Sequence, residues 1–77
     1  MRVTVTVRPR EGILDPQGEA LRRSLTGLGY DVTDVRAGKV FDLELEASDE
    51  ADARRIADEI SERVLSNPLI EDYQVGG

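Results

Sequence analysis

The 77-residue chain has no cysteine and no histidine. That excludes disulfides, zinc sites of the usual type, and thiol or imidazole catalysis. Tryptophan is also absent, and one Phe and two Tyr are the only aromatics, so the core must be aliphatic. Only one of the ten basic residues is Lys, and 16 acidic residues outnumber them, for a net charge of −6. A nucleic-acid backbone rewards clustered Lys and Arg. Here the cations are scattered, so nucleic acid is not an expected partner. No apolar run approaches the roughly 20 residues of a membrane span, and the N-terminus has no signal-peptide pattern. The expectation is a soluble, cytoplasmic protein with no membrane partner.

The length suits a single domain over residues 1 to 77. A domain of this size buries only about 60% of the surface its unfolded chain exposes. Its stability should be about 4–11 kcal/mol, so self-association would help considerably.

The stretch "RVTVTVR", residues 2 to 8, alternates strictly, with Val3, Val5 and Val7 on one face and Thr4 and Thr6 on the other. Such alternation reads as a half-buried strand, and Pro9 ends it. A helix is predicted from Pro16 to Leu28. Asp15 suits its N-cap and Pro16 its first position. Leu21, Leu25 and Leu28 share a face, and Gly29 suits a left-handed C-terminal cap. Phe41, Leu43, Leu45 and Ala47 then alternate with Asp42, Glu44 and Glu46 as a second half-buried strand. "AGK", residues 37 to 39, allows a hairpin whose three-residue loop pairs Val35 with Phe41 and Thr33 with Leu43. One long strand bent at Gly38 fits the same parity. A second helix begins at Ser48 or Asp49, with an apolar stripe of Ala53, Ile56, Ala57, Ile60 and Val64. Glu50–Arg54, Arg55–Glu59 and Glu59–Arg63 are candidate i,i+4 pairs on it. Asn67-Pro68 stops this helix, and "LIEDYQV", residues 69 to 75, is a last short strand.

The order is β-α-β-β-α-β, unless the middle two strands are one long bent strand. The simplest packing is an α+β, ferredoxin-like two-layer sandwich with both helices on one sheet face. The other face would carry Thr4, Thr6, Val40, Asp42, Glu44 and Glu46.

Three stretches are candidates for chemistry. "GILDPQG", residues 12 to 18, lacks the glycine spacing and the Lys of a phosphate loop. A helix start accounts for Asp15 and Pro16, but not for Ile13 and Leu14 in a loop or for Gly18 at the third helical position. Asp42, Glu44 and Glu46 form a carboxylate row, which is more often a solvated strand face than a cation site. Arg36 and Lys39 flank Gly38 and could grip a carboxylate or phosphate, or simply form an exposed turn. Ser24, Ser48, Ser61 and Ser66 lie in or beside predicted helices with no base to activate them. These residues describe a domain that binds rather than catalyses.

"GILDPQG", "LGY" at 28 to 30, "VRAGK" at 35 to 39 and "NPLIEDYQV" at 67 to 75, in this order and spacing, resemble the PurS family. PurS is the small subunit of the three-component phosphoribosylformylglycinamidine synthase of purine biosynthesis. The resemblance implies a non-catalytic subunit that bridges a PurL-type synthetase and a PurQ-type glutaminase and assists ammonia transfer. It implies a homodimer or dimer of dimers. No cofactor is expected in this subunit, and ATP and Mg belong to the synthetase. Gly12, Ile13, Leu14, Gly18, Arg36 and Lys39 become candidate partner contacts. The alternative is a free-standing ferredoxin-like module that binds a small metabolite at a dimer interface.

Overall fold

A computed structural model describes residues 1–76; Gly77 lies outside the described residues. β1 (Arg2–Pro9) is the central strand of a three-stranded antiparallel sheet of order β2-β1-β3. Its valines fix it there. Val3, Val5 and Val7 are all buried, while Thr4 and Thr6 lie on the opposite, open face. β2 (Lys39–Glu44) places Phe41 beside Val5 and Leu43 beside Val3. β3 (Glu71–Gly76) places Val75 beside Val5 and Tyr73 beside Val7. Apolar residues therefore meet across the strands on one face, as the alternation requires.

α2 (Glu50–Ile60) covers that face over β1 and β3, with Ala53 and Ala57 fully buried against the valines. Of the two predicted cap residues, Asp49 takes the N-cap: its carboxylate accepts the Asp52 N–H at 2.8 Å. The Asp52 carboxylate reaches back to the Ser48 N–H at 3.1 Å, a reciprocal arrangement that satisfies two free donors. Of the three predicted i,i+4 pairs, the structure forms Arg55–Glu59, at 3.5 Å. Arg54 instead donates to the Val75 carbonyl.

The helix continues as a π turn over Ser61–Leu65. A π turn inserts one extra residue per turn and so rotates the later residues about the helix axis. The predicted stripe fails here for that reason. Val64 is turned outward and is 76% exposed, while Leu65 packs against the core.

α1 (Pro16–Gly27) ends as the sequence predicts. Gly29 is left-handed (φ 97°), the Tyr30 N–H bonds the Leu25 carbonyl, and the Gly29 N–H bonds that of Thr26. This is a Schellman cap, which a residue with a Cβ would strain. Its position differs from expectation. α1 has no substantial packing on the sheet or α2. It hangs beyond the end of the sheet, where β1 finishes and β2 starts. The extents of 51 × 23 × 14 Å and the radius of gyration of 15.6 Å record this arm. A compact chain of this length would have a radius of about 11–12 Å.

The α+β, ferredoxin-like order stands, with one middle strand, β2, in place of the two predicted and no strand over residues 31 to 38. The chain does not reverse at residues 37 to 39. Residues 31 to 38 run without a ladder partner straight into β2, and Phe41 pairs with Val5 rather than with Val35. The predicted open face is as expected. Asp42, Glu44 and Glu46 are exposed, with Asp42 accepting from Thr4 Oγ1 and Glu44 from Arg2 Nε, both at 2.9 Å.

Candidate functional site

The arm joins the sheet through two stretches of chain, residues 10 to 15 and 31 to 38, and the sequence-predicted residues gather at that joint. Asp15 holds the two together. It occupies the N-cap position of α1, but its carboxylate does not cap its own helix; Oδ2 accepts the Ala37 N–H at 2.7 Å. The Ala37 bond is the main reason its carboxyl group lies below the ordinary aspartate value, and the nearby Gly18 amide adds to it. A carboxylate accepting backbone N–H bonds is stabilised in its charged form.

Gly18 is buried, and the reason is close approach. A Cβ there would lie 2.1 Å from the Val35 carbonyl oxygen and 2.6 Å from Asp15 Oδ2. Only a residue without a side chain lets α1 sit this near the 31–38 segment. The unexplained glycine of the helix is therefore a joint residue.

Arg36 is anchored from the other side. Its guanidinium donates to the Pro9 carbonyl, at the last residue of β1. Proline has no N–H, yet its carbonyl still needs a partner, and Arg36 supplies one. On α1 the Glu19 carboxyl is held down at about 2, first by its hydrogen bonds from Arg22. Arg23 adds a second, more exposed contact at 3.3 Å.

Two surface cavities flank the joint and share Arg36. The larger, about 520 Å³, is lined by Arg8, Glu11, Arg36, Lys39 and Asp72 among others. The smaller, about 220 Å³, is lined by Gly12, Ile13, Leu14, Asp15, Glu19 and Arg36 among others. All six predicted contact residues thus lie at one joint. Gly12, Ile13, Leu14 and Arg36 share the smaller cavity, Gly18 backs it through Val35, and Lys39 faces the larger one with Arg36. Leu14 is 78% exposed and Ile13 40%, so neither plugs the core.

Sequence reasoning missed Arg8 and the Asp15–Ala37 bond. Arg8 was findable: it has the parity of Thr4 and Thr6 and so belongs to the open face. The bond joins residues 22 apart and left no local signal. Arg8, Arg36 and Lys39 form no ion pair with the acidic residues among the described residues. Both signs of charge meet at the joint: the larger cavity sets Arg8, Arg36 and Lys39 beside Glu11 and Asp72, and the smaller sets Arg36 beside Asp15, Glu19 and Asp34, with Ile13 and Leu14 as an apolar lip. No group of three His, Cys, Asp or Glu is placed to hold a metal among the described residues. None of the helices there is long and apolar enough to cross a membrane.

The arrangement is that of a small α+β domain whose candidate contact residues meet at one exposed joint. The sequence profile of PurS, described as phosphoribosylformylglycinamidine (FGAM) synthase, matches residues 2–76. The chain is 47% identical over 73 residues to the phosphoribosylformylglycinamidine synthase subunit PurS of Synechocystis sp., covering 94% of this chain and 71% of that one. The corresponding Bacillus subtilis subunit is 42% identical over 74 residues, covering 95% and 87%. Among solved structures, Methanocaldococcus jannaschii PurS superposes with a TM-score of 0.86 at 30% identity, covering 97% of this chain and 92% of that one. A chain of the PurLQS structure from Thermotoga maritima gives 0.87 at 34% identity, covering 97% and 93%. The chain belongs to the PurS family.

Proposed function

We propose that this chain is the non-catalytic bridging subunit of phosphoribosylformylglycinamidine synthase in purine biosynthesis, working in the cytoplasm as a homodimer. It couples a PurQ-type glutaminase, which releases ammonia from glutamine, to a PurL-type synthetase, which consumes it with ATP. ATP and Mg belong to the synthetase, and this subunit carries no cofactor. The observation that carries the proposal is family membership over residues 2–76, combined with a relative solved in an assembly named PurLQS.

The joint supplies the contact chemistry. Ile13 and Leu14 offer exposed apolar surface beside Arg8, Arg36 and Lys39. An apolar anchor ringed by charge is the usual anatomy of a specific interface. The mixed charges around Ile13 and Leu14 select a complementary patch on a partner and speed encounter. The test is co-elution of this chain with the synthetase and glutaminase subunits on gel filtration. A stable three-subunit peak is expected. Elution of this chain alone, with glutamine and nucleotide present, would end the proposal.

A further inference from the structure

The stretch "NPLI", residues 67 to 70, has no part in the joint, yet it is a tightly braced turn. The Asn67 carbonyl accepts the N–H groups of Ile70 at 3.0 Å and Glu71 at 2.8 Å. Asn67 Oδ1 accepts the Leu69 N–H at 3.1 Å, and Glu71 Oε1 accepts that of Asn67 at 2.7 Å. From the end of β1, the Arg10 guanidinium donates to the Pro68 carbonyl at 2.8 Å, and the Arg10 N–H to the Ile70 carbonyl at 2.9 Å. This frame leaves Leu69 83% exposed and Ile70 44% exposed. With Val64, three exposed apolar side chains fall within residues 64 to 70. Single surface apolars need no explanation, but a cluster on a rigid turn marks a contact surface.

The π turn supplies Val64 to this surface. It sends Leu65 to the core and Val64 outward, and it does so at a cost. Ser61 is fully buried, and its hydroxyl has no hydrogen-bond partner among the described residues. A buried hydroxyl left unpaired lowers stability. Ser66 holds the register, with its N–H and its Oγ both donating to the Ser61 carbonyl at 2.9 Å. π turns concentrate at functional sites, and a domain this small has little stability to lose. Both facts tie the turn to the segment it rotates outward.

Charge identifies the occupant. A concavity of about 180 Å³ lies between the helix end and the turn, lined by Glu62, Ser66, Pro68, Glu71 and Asp72 among others. Its lining cation, Arg10, is engaged with Pro68 and with Asp72, at 3.5 Å. Glu62 has no ion pair among the described residues. We propose that Val64, Leu69 and Ile70 form a second docking surface, for a partner protein that presents an apolar socket with an Arg or Lys at its rim. The socket takes Leu69, and the rim cation meets Glu62 over the concavity. A second copy does not fit, because a chain of net charge −6 would set carboxylate against carboxylate. Being already braced, the turn loses little freedom on binding. The assignment rests on the bridging role, since a bridge needs one surface for each partner. The joint continues into β2, whereas this turn leads into β3, on the other side of β1. With the joint turned to the synthetase, the turn receives the glutaminase.

The test is a titration of each partner subunit with fluorescently labelled chain, with glutamine and nucleotide present. Val64→Ser with Leu69→Ser alters two side chains that point to water, so the variant keeps its fold. It should bind the glutaminase about tenfold more weakly or worse, the loss expected when apolar anchors are removed, and bind the synthetase as the unaltered chain does. Undiminished affinity for the glutaminase would overturn the proposal, and so would a loss confined to the synthetase. Sedimentation of the variant as a smaller species than the unaltered chain would mark the patch as a contact between copies and overturn it too. Glu62→Lys should weaken glutaminase binding, and more so at low salt, because it sets like charges together. No weakening would remove the basic rim. An unaltered chain that joins neither subunit, singly or together, would end the bridging role itself. A chain that joins both but ignores the double substitution would end this surface alone.

Discussion

The carboxylate of Asp15 accepts the backbone N–H of Ala37 at 2.7 Å, closing a joint between the two stretches of chain that carry α1. Because an N–H bond to a carboxylate favours its charged form, the bond should be sensitive to acid. The Asp15 carboxyl lies below the ordinary aspartate value in the folded chain. The group therefore adds stability above the ordinary aspartate pKa, and that contribution is lost as pH falls through the depressed folded value. In an NMR titration the Ala37 amide resonance should move with a midpoint below that of an ordinary aspartate. A midpoint at or above that value would show that the bond is not formed in solution.

Gly18 makes the sharper stability prediction. A Cβ has nowhere to go between the Val35 carbonyl and Asp15. Gly18→Ala should destabilise the joint by roughly 1–3 kcal/mol, the range for forcing extra atoms into a packed site, despite alanine's better helix propensity. Urea denaturation measures the loss. Amide exchange should localise it to residues 12 to 37 and spare the sheet.

The π turn separates two adjacent residues. Val64→Ser should change stability by less than about 0.5 kcal/mol, since Val64 points to water. Leu65→Ala should cost about 2 kcal/mol or more, because Leu65 packs on the core. A regular helix would reverse that order, so chemical denaturation of the pair checks the rotation.

Arg36→Ala combined with Lys39→Ala should weaken binding to the synthetase while leaving thermal stability nearly unchanged. Arg36 does contact the Pro9 carbonyl, so a drop of a few degrees is compatible with the proposal. Undiminished affinity in a binding titration would take these two residues out of the interface.

Much of the fold is legible in the sequence because its signals are local. Alternating valines define β1, Asp49 starts α2, and Gly29 closes α1. The features that are not legible depend on distance. The leucines of α1 announce an apolar face, but not that Leu21 and Leu28 stay exposed away from the sheet. The parity around Gly38 is the same for a hairpin and for one long bent strand, so periodicity cannot choose between them. The π turn at Ser61–Leu65 breaks the helical stripe without any glycine or proline to mark it. The site divides in the same way. Gly12, Ile13, Leu14, Gly18, Arg36 and Lys39 stand out as residues that local structure leaves unexplained, and they meet at one joint. Asp15 reads as the cap of its own helix, and its long-range partner emerges only once the chain is folded.

The direct test of the bridging role is a comparison of two ammonia sources. The synthetase and glutaminase subunits are assayed together, with and without this chain, using either glutamine or added ammonium salt. Glutamine-dependent product formation should collapse when this chain is omitted, while ammonium-dependent formation by the synthetase persists. Full glutamine-dependent activity without this chain would contradict the role.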